Sequence, residues 1–554
     1  MGPQHLIDDC LIHIFTFLTE EDLIRASGVC TVWHNAAETP CLWRRMCLQR
    51  WGFCSQAVLE RPHVNHSWKT YFLRRSHLET KMKEGRTGGY TCTSLRGHAV
   101  PTTGCHDSNL IISLPLGRIV GLVYLQRSSP LGPDLRNTPT TVCSASTDGT
   151  VRAWNIQNGQ LRWCSAKQSP LSSIVSDEQR DFVITADSAG LIKVWQGQTG
   201  QEVASNSAAS TRCTLLQYNK DSDWFLSVGT GQGTLCTLAG TALTKKSSIM
   251  VCDSFHVNIL LVSPDKKWII AGSKDNVDLS PKVIYADSLT SPCEDEDPLC
   301  QLVPVTGCQA AVFLPTQSAR LAMVHCKERT NNKALTVFNV SIKKSKYTSQ
   351  IQVQQVESFP LTLNSTSSNI LLEAKDSNSI VMAADHHLWV YSLKGTLLAS
   401  FKEHTMPITS ICVDSFRVVT ASQDLSLHVL TWKHDRDRGL TLESRYQLLG
   451  GSHTMSRCVL TFRYLCTIKY RPEYVLALML LLCSHTMSRC VLTFRYLCTI
   501  KYRPEYVLAL MLLLCSVTFA FRGFSHISCD YCSIVGSVEG KDGKDILKAY
   551  TFTA

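Results

Sequence analysis

Apolar residues in the first fifty positions recur with helical spacing. Leu11, Ile14, Phe15 and Leu18 stand at i, i+3, i+4 and i+7, one stripe of an amphipathic helix, with Leu6 and Ile7 leading into it. Thr19, with Asp22 three residues on, is a capping-box-like start ahead of Leu23 and Ala26. Thr39-Pro40 opens a further helix, a capping hydroxyl followed by a proline whose missing N–H costs nothing at the first helical position. Val29, Cys30, Trp33, Leu42 and Trp43 complete the apolar set. So small a unit cannot enclose all of these side chains. The pattern therefore predicts a docking surface on short helices. An ordinary helical subdomain packed on the rest of the chain is the plainer alternative, and ordered spacing over about forty residues argues against it.

From about residue 90 the period changes to two. Val142-Cys143-Ser144-Ala145-Ser146-Thr147-Asp148-Gly149 through Trp154 returns, diverged, as Val183-Ile184-Thr185-Ala186-Asp187 through Trp195, 41 residues later. Each unit alternates apolar and polar positions, turns at Asp or Gly, and alternates again, as a β-hairpin does. The period is that of a WD-type propeller blade. Weaker echoes follow, and the hairpin units end at Trp154, Trp195, Leu238, Tyr285, Phe338, Tyr391, Leu430 and Tyr550, which predicts seven or eight blades. Tyr90–Leu95 is expected to supply the outermost strand of the last blade and so close the ring. Between the two regions, residues 51–89 read as a bridge with helix-forming stretches at 68–75 and 77–81.

A second repeat is of another kind. Residues 452–483 and 484–515 are the same 32 residues, identical at every position. Diverged blades share only a packing pattern, so identity points to a recent duplication rather than to a structural repeat. Residues 458–522 therefore read as an insert that splits the last blade, with Arg457 continuing sensibly into Gly523. Its apolar runs are about ten and sixteen residues long, short of the roughly twenty a spanning helix needs, which argues against a membrane anchor.

The N-terminal pattern, with Val29-Cys30-x-x-Trp33 and Leu42-Trp43-Arg44, resembles the F-box, the adaptor-binding module of Skp–cullin–F-box ubiquitin ligases. Ile7 stands where that family usually has proline. An F-box followed by a WD-type propeller resembles the F-box/WD-repeat group of ubiquitin-ligase substrate receptors. The resemblance implies an α+β multidomain chain: an α-helical F-box at 1–50, a helical bridge at 51–89 and an all-β propeller at 90–554. It implies that Leu6, Ile7, Leu11, Ile14, Phe15, Leu18, Leu23, Val29, Trp33, Leu42 and Trp43 bind a Skp-type adaptor, which holds the cullin and RING subunit. The propeller would bind a protein substrate whose identity is not readable. In WD repeats a histidine before each blade pairs with the turn aspartate, which makes His98, His404, Asp148, Asp187 and Asp424, with Trp154 and Trp195, structural residues.

Composition narrows the classes. The chain has 44% hydrophobic and 18% charged residues, as a folded protein does. Of its net charge of +10, the insert contributes eight basic minus two acidic residues, or +6, so no basic patch for nucleic acid is expected. The 25 cysteines form no even framework and, with no export signal, are expected to be reduced thiols in the cytoplasm or nucleus. Cys529-x-x-Cys532 has no second pair at metal-site spacing, so neither metal nor cofactor is expected. No nucleophile elbow, phosphate loop or convergent titratable set is present, which predicts a receptor without catalysis of its own. A propeller scaffold without ubiquitin chemistry is the alternative, and an RNA- or membrane-associated protein acting through the insert is a third. Deleting residues 458–522 is expected to raise solubility and the melting temperature, read by comparing melts of the two forms, because exposed leucine runs favour aggregation.

Overall fold

The computed structural model describes residues 8–51, 68–85, 90–95, 117–126, 140–177, 179–207, 209–220, 223–290, 297–316, 319–326, 333–344, 349–363, 369–414, 416–435, 439–450, 523–540 and 544–552. Leu6, Ile7, His98 and the insert 458–522 lie outside the described residues. Among the described residues five helices come first: α1 Asp8–Phe15, α2 Glu20–Ser27, α3 Thr31–Ala37, α4 Pro40–Trp51 and α5 Trp68–Glu84. Apart from one short helix, Ala286–Thr290, the remaining elements form a ring of eight four-stranded antiparallel sheets, the larger of the two blade numbers expected.

Seven blades are built from consecutive strands: residues 119–164, 171–207, 213–250, 259–302, 308–361, 370–401 and 408–449 form blades 1 to 7. Blade 8 combines residues 524–552 with Tyr90–Leu95, which pairs antiparallel with Asp545–Phe552, Tyr90 opposite Phe552 and Leu95 opposite Leu547. The ring thus closes through its first strand, and no long edge is left at the seam. First strands line the axis: Ile119–Gln126 touches Leu171–Asp177 on one side and Phe524–Cys529 on the other. The residues that end the sequence units all fall on the third strands of their blades.

The insert does not interrupt a blade. Gly439–Leu449 completes blade 7, and Phe524–Cys529 begins blade 8. Residues 451–522 therefore enter at the link between two finished sheets, which corrects the expectation of a split hairpin. Sequence continuity places Ser452–Arg457 in the last blade, but blade 8 begins at Phe524–Cys529, and residues 452–457 lie outside the described residues.

Apolar clusters fill every junction between neighbouring blades. Ile184, Val194, Leu215 and Leu226 pack blade 2 on blade 3, and Leu95, Val535, Tyr124 and Trp154 pack blade 8 on blade 1. Strand interiors read apolar throughout because both faces of a blade are covered, as in Trp268–Gly272, where all five residues are buried. The turn after Asp148 requires glycine: Gly149 has φ of 82°, and a Cβ there would meet the Gln168 carbonyl oxygen at 2.0 Å.

One buried charge joins three elements. Arg417 of blade 7 is 1% exposed; its guanidinium donates to the Asp530 carbonyl at 2.6 Å and the Ser533 carbonyl at 3.2 Å in blade 8, and Nη1 lies 3.1 Å from the Met82 sulfur of α5. Burial works against its charge, but Asp414, whose Oδ2 accepts from Nε at 3.2 Å, holds it ionised. Replacing Arg417 with Met removes the donor from two buried carbonyls, while Asp414, part-exposed, keeps the Phe416 and Arg417 amides. The expected loss is about 2 kcal/mol, seen as a lower denaturation midpoint, because two buried carbonyls lose a charged donor.

Candidate functional site

The N-terminal helices pack around an aromatic core. Leu11, Phe15, Leu23, Ala26, Ala36, Ala37, Leu42, Trp43 and Cys47 are all buried there. Phe15 meets Trp33 edge-on at 5.4 Å, and Trp43 lies 5.6 Å from the Phe72 ring. The Trp43 indole N–H donates to the Ala37 carbonyl at 2.7 Å, so the buried ring has its polar atom satisfied. Thr19 caps α2, accepting from the Asp22 amide at 3.3 Å.

The eleven residues expected at the adaptor surface therefore divide. Leu6 and Ile7 lie outside the described residues. Leu11, Phe15, Leu23, Leu42 and Trp43 are at most 2% exposed and form the module's own core. Leu18 and Trp33 are half-buried, and only Ile14 and Val29, 47% and 62% exposed, present free surface. Two exposed apolar residues escaped the sequence reading: Phe17, at 77%, and Ile24, at 40%. The reason is rotational. Burial on α1 centres on Leu11, Phe15 and the partly buried Ile12, so the buried face is turned away from Ile14. Phe17 lies off the stripe altogether, and an off-stripe aromatic was the available signal.

α5 supplies what the small module lacks. Its first turns bury Tyr71 and Phe72 in the module core, while Leu78 and Met82 enter the cluster between blades 7 and 8 with Val419, Leu448, Ile534 and Tyr550. Midway, the buried Glu79 accepts from Arg75 Nε at 3.2 Å and lies 3.9 Å from Arg50 Nε of α4. Burial raises the Glu79 pKa, opposed by Arg75 and Arg50. Arg50 also reaches Glu20 of α2 at 2.8 Å, and Arg75 covers the Tyr531 ring of blade 8 at 5.6 Å. A line of charges and rings thus runs from α2 to the propeller.

In blade 7, His404 Nδ1 is 3.0 Å from Asp424 Oδ2 and Nε2 is 2.8 Å from Thr420 Oγ1. In blades 1 and 2 the tryptophans take the same hydroxyl position: Trp154 donates to Ser144 Oγ at 3.1 Å and Trp195 to Thr185 Oγ1 at 2.9 Å. Asp148 and Asp187 accept from backbone amides of their own turns, those of Thr150 and of Ala189 and Leu191. Among the described residues, no three His, Cys, Asp or Glu side chains gather as a metal site, and no helix is long and apolar enough to cross a membrane. Cys529 and Cys532 are both buried; a hydrogen bond with Cys412, together with burial, pushes the Cys529 thiol well above its ordinary pKa.

A compact helical module locked by one helix to a closed propeller is the build of an F-box protein with a WD-repeat ring. The F-box-like family model matches residues 8–49. The chain is 28% identical over 432 residues to human F-box/WD repeat-containing protein 12, covering 77% of this chain and 87% of that one. It is 21% identical over 447 residues to mouse F-box/WD repeat-containing protein 15, covering 79% and 89%. This chain therefore has an F-box-like domain and is homologous over most of its length to F-box/WD repeat-containing proteins. Among solved structures, the computationally designed Ika8 protein covers 59% of this chain, and 96% of its own, at 18% identity and a TM-score of 0.41.

The His404–Asp424 pair predicts a pH effect. Burial alone would raise the Asp424 pKa, but hydrogen bonds from His404 and Ser426 take it down to about 2. A depressed folded pKa adds stability above the unfolded value near 4, and that stability is lost as pH falls toward 2. Asp424→Asn should therefore remove roughly 2 kcal/mol at neutral pH and flatten the acid side of the stability profile, read by denaturant melts between pH 5 and about 2.

Proposed function

We propose that this chain is the substrate-recognition subunit of a Skp–cullin–F-box ubiquitin ligase, acting in the cytoplasm or nucleus. An F-box-like domain implies a Skp-type adaptor, which in turn connects the cullin and RING subunit. The observation that carries the reading is the set of exposed apolar side chains, Ile14, Phe17, Ile24 and Val29, on an F-box-like module whose own core is already filled. Such residues on a folded module are what a partner would cover. The propeller then selects a protein substrate, through loops held by its sheets.

The chain's own side chains make and break no bond in this scheme. Rate enhancement comes from holding substrate and ubiquitin-charged enzyme together, an effective-concentration effect. α5 supports the reading, because a receptor of this kind must present its substrate at a set distance and angle from the ligase arm.

Phe17→Asp combined with Val29→Asp tests it. Both side chains are exposed, so the melting temperature should stay unchanged while capture of a Skp-type adaptor falls more than tenfold, each anchor being worth roughly 2 kcal/mol. Leu11→Ala is the contrasting variant: it should destabilise the module by about 2–5 kcal/mol through a core cavity. Unchanged adaptor capture by the folded double variant would overturn the proposal and favour a propeller scaffold without ubiquitin chemistry.

A further inference from the structure

Seven of the eight outermost strands show the usual protections of a sheet edge, which are shortness or charge. Cys300–Leu302 has three residues, Leu161–Cys164 four, Leu397–Phe401 five and Tyr90–Leu95 six. Glu202–Ser207 begins with a glutamate, Thr244–Met250 carries Lys245 and Lys246, and Gly439–Leu449 carries Glu443 and Arg445. The outermost strand of blade 5, Ser349–Leu361, is different. It is the longest, with 13 residues; its one charge and one proline, Glu357 and Pro360, lie near its end, and from Ser349 to Val356 it has neither.

This strand also stands proud of its sheet. The second strand of the blade, Ala319–Cys326, pairs with the third only as far as Val340. Beyond that point Ser341–Lys344 pairs with Ser349–Gln352 alone, as a two-stranded ribbon. Four residues further on, a register shift leaves Val356 without an opposite residue and separates residues 349–355 from the rest of the strand. One face of the ribbon is satisfied: Ile351 is buried, and Val353 and Ile342 are partly buried, against Trp268, Tyr285 and Val303 of blade 4. Gln350, Gln352 and Gln354 are exposed on the other face. Among the described residues, no backbone hydrogen bond reaches residues 349–361 from outside the blade.

The sequence of this edge identifies an occupant. Gln350-Ile351-Gln352-Val353-Gln354 is nearly palindromic about Gln352. Antiparallel pairing with an identical strand sets Gln350 opposite Gln354, Gln352 opposite itself, and Ile351 opposite Val353. Amide then faces amide and β-branched faces β-branched, the pairs that stabilise adjacent strands. We propose that the blade 5 edge is a homotypic interface, at which two copies of this chain pair antiparallel through residues 350–354 about a two-fold axis at Gln352. The two blades then make one continuous sheet across two rings. Pairing is at the rim, so the axial strands and the N-terminal helices take no part, and a dimer would carry two adaptor modules.

Sedimentation equilibrium of the full-length protein at micromolar concentration tests this, with Gln352→Lys and Gln352→Glu as variants. Wild type should sediment near twice 61.7 kDa. Either variant alone sets like charges opposite each other at the axis and should raise the dimer dissociation constant roughly tenfold. Mixing the two should restore dimerisation, because Lys then faces Glu. Gln352 is exposed, so both variants should keep the wild-type melting temperature and adaptor capture. A monomeric wild type, unaltered dimerisation in both variants, or a mixture that fails to recover would each overturn the proposal. The monomeric result, with an extended peptide later found on this edge, would assign the edge to a different protein. Adaptor capture is measured separately, so failure here leaves the ligase reading untouched.

Discussion

Helix α5 must satisfy two cores at once, and the arrangement of the molecule follows from that constraint. Tyr71 and Phe72 complete a module too small to enclose itself, and two turns later Leu78 and Met82 fill the junction between blades 7 and 8. The helix rises about 1.5 Å per residue, so the spacing between these two sets of anchors is fixed by backbone hydrogen bonds rather than by a linker. A flexible tether would let the module and the ring sample many separations. A single helix buried at both ends leaves them one.

The charges at this joint are conspicuous because they are buried. Glu79 lies between Arg75 and Arg50, and Arg417 reaches from blade 7 to blade 8 and to Met82. Buried ion pairs contribute little net stability, since desolvation offsets most of their attraction. Their effect is on geometry: apolar contacts tolerate sliding, whereas a guanidinium on two carbonyls does not. The apolar clusters hold the joint together, and the buried charges fix its register.

How much was legible depended on how local the signal was. Alternation around Asp148, Asp187 and Asp424 is a feature of a few consecutive residues, and it located the third strand of every blade, including the faint ones ending at Leu238 and Tyr285. The closing role of Tyr90–Leu95 was accessible because a ring needs a partner for its last strand. Two things were hidden. Burial of Leu42 and Trp43 depends on Phe72, thirty residues away across a segment without clear periodicity, so core and surface could not be separated from the stripe alone. Phe17 breaks the stripe, so the helical period alone gives no sign that it is exposed apolar surface. The insert was misplaced for a different reason: Ser452–Arg457 reads on smoothly into Gly523, whereas blade 8 starts only at Phe524.

That shared blade also imposes an order in time. Leu95 leaves the ribosome long before Leu547, its partner in the finished sheet. At about 5–20 residues per second, the interval is on the order of tens of seconds. Throughout it the strand that will seal the ring has no native mate, while seven complete blades form beside it. Contacts so distant in sequence are also the slowest to find. The seam is therefore the last native pairing available to the nascent chain, and a transcript that stops short of residue 545 yields an open arc of blades rather than a slightly smaller ring.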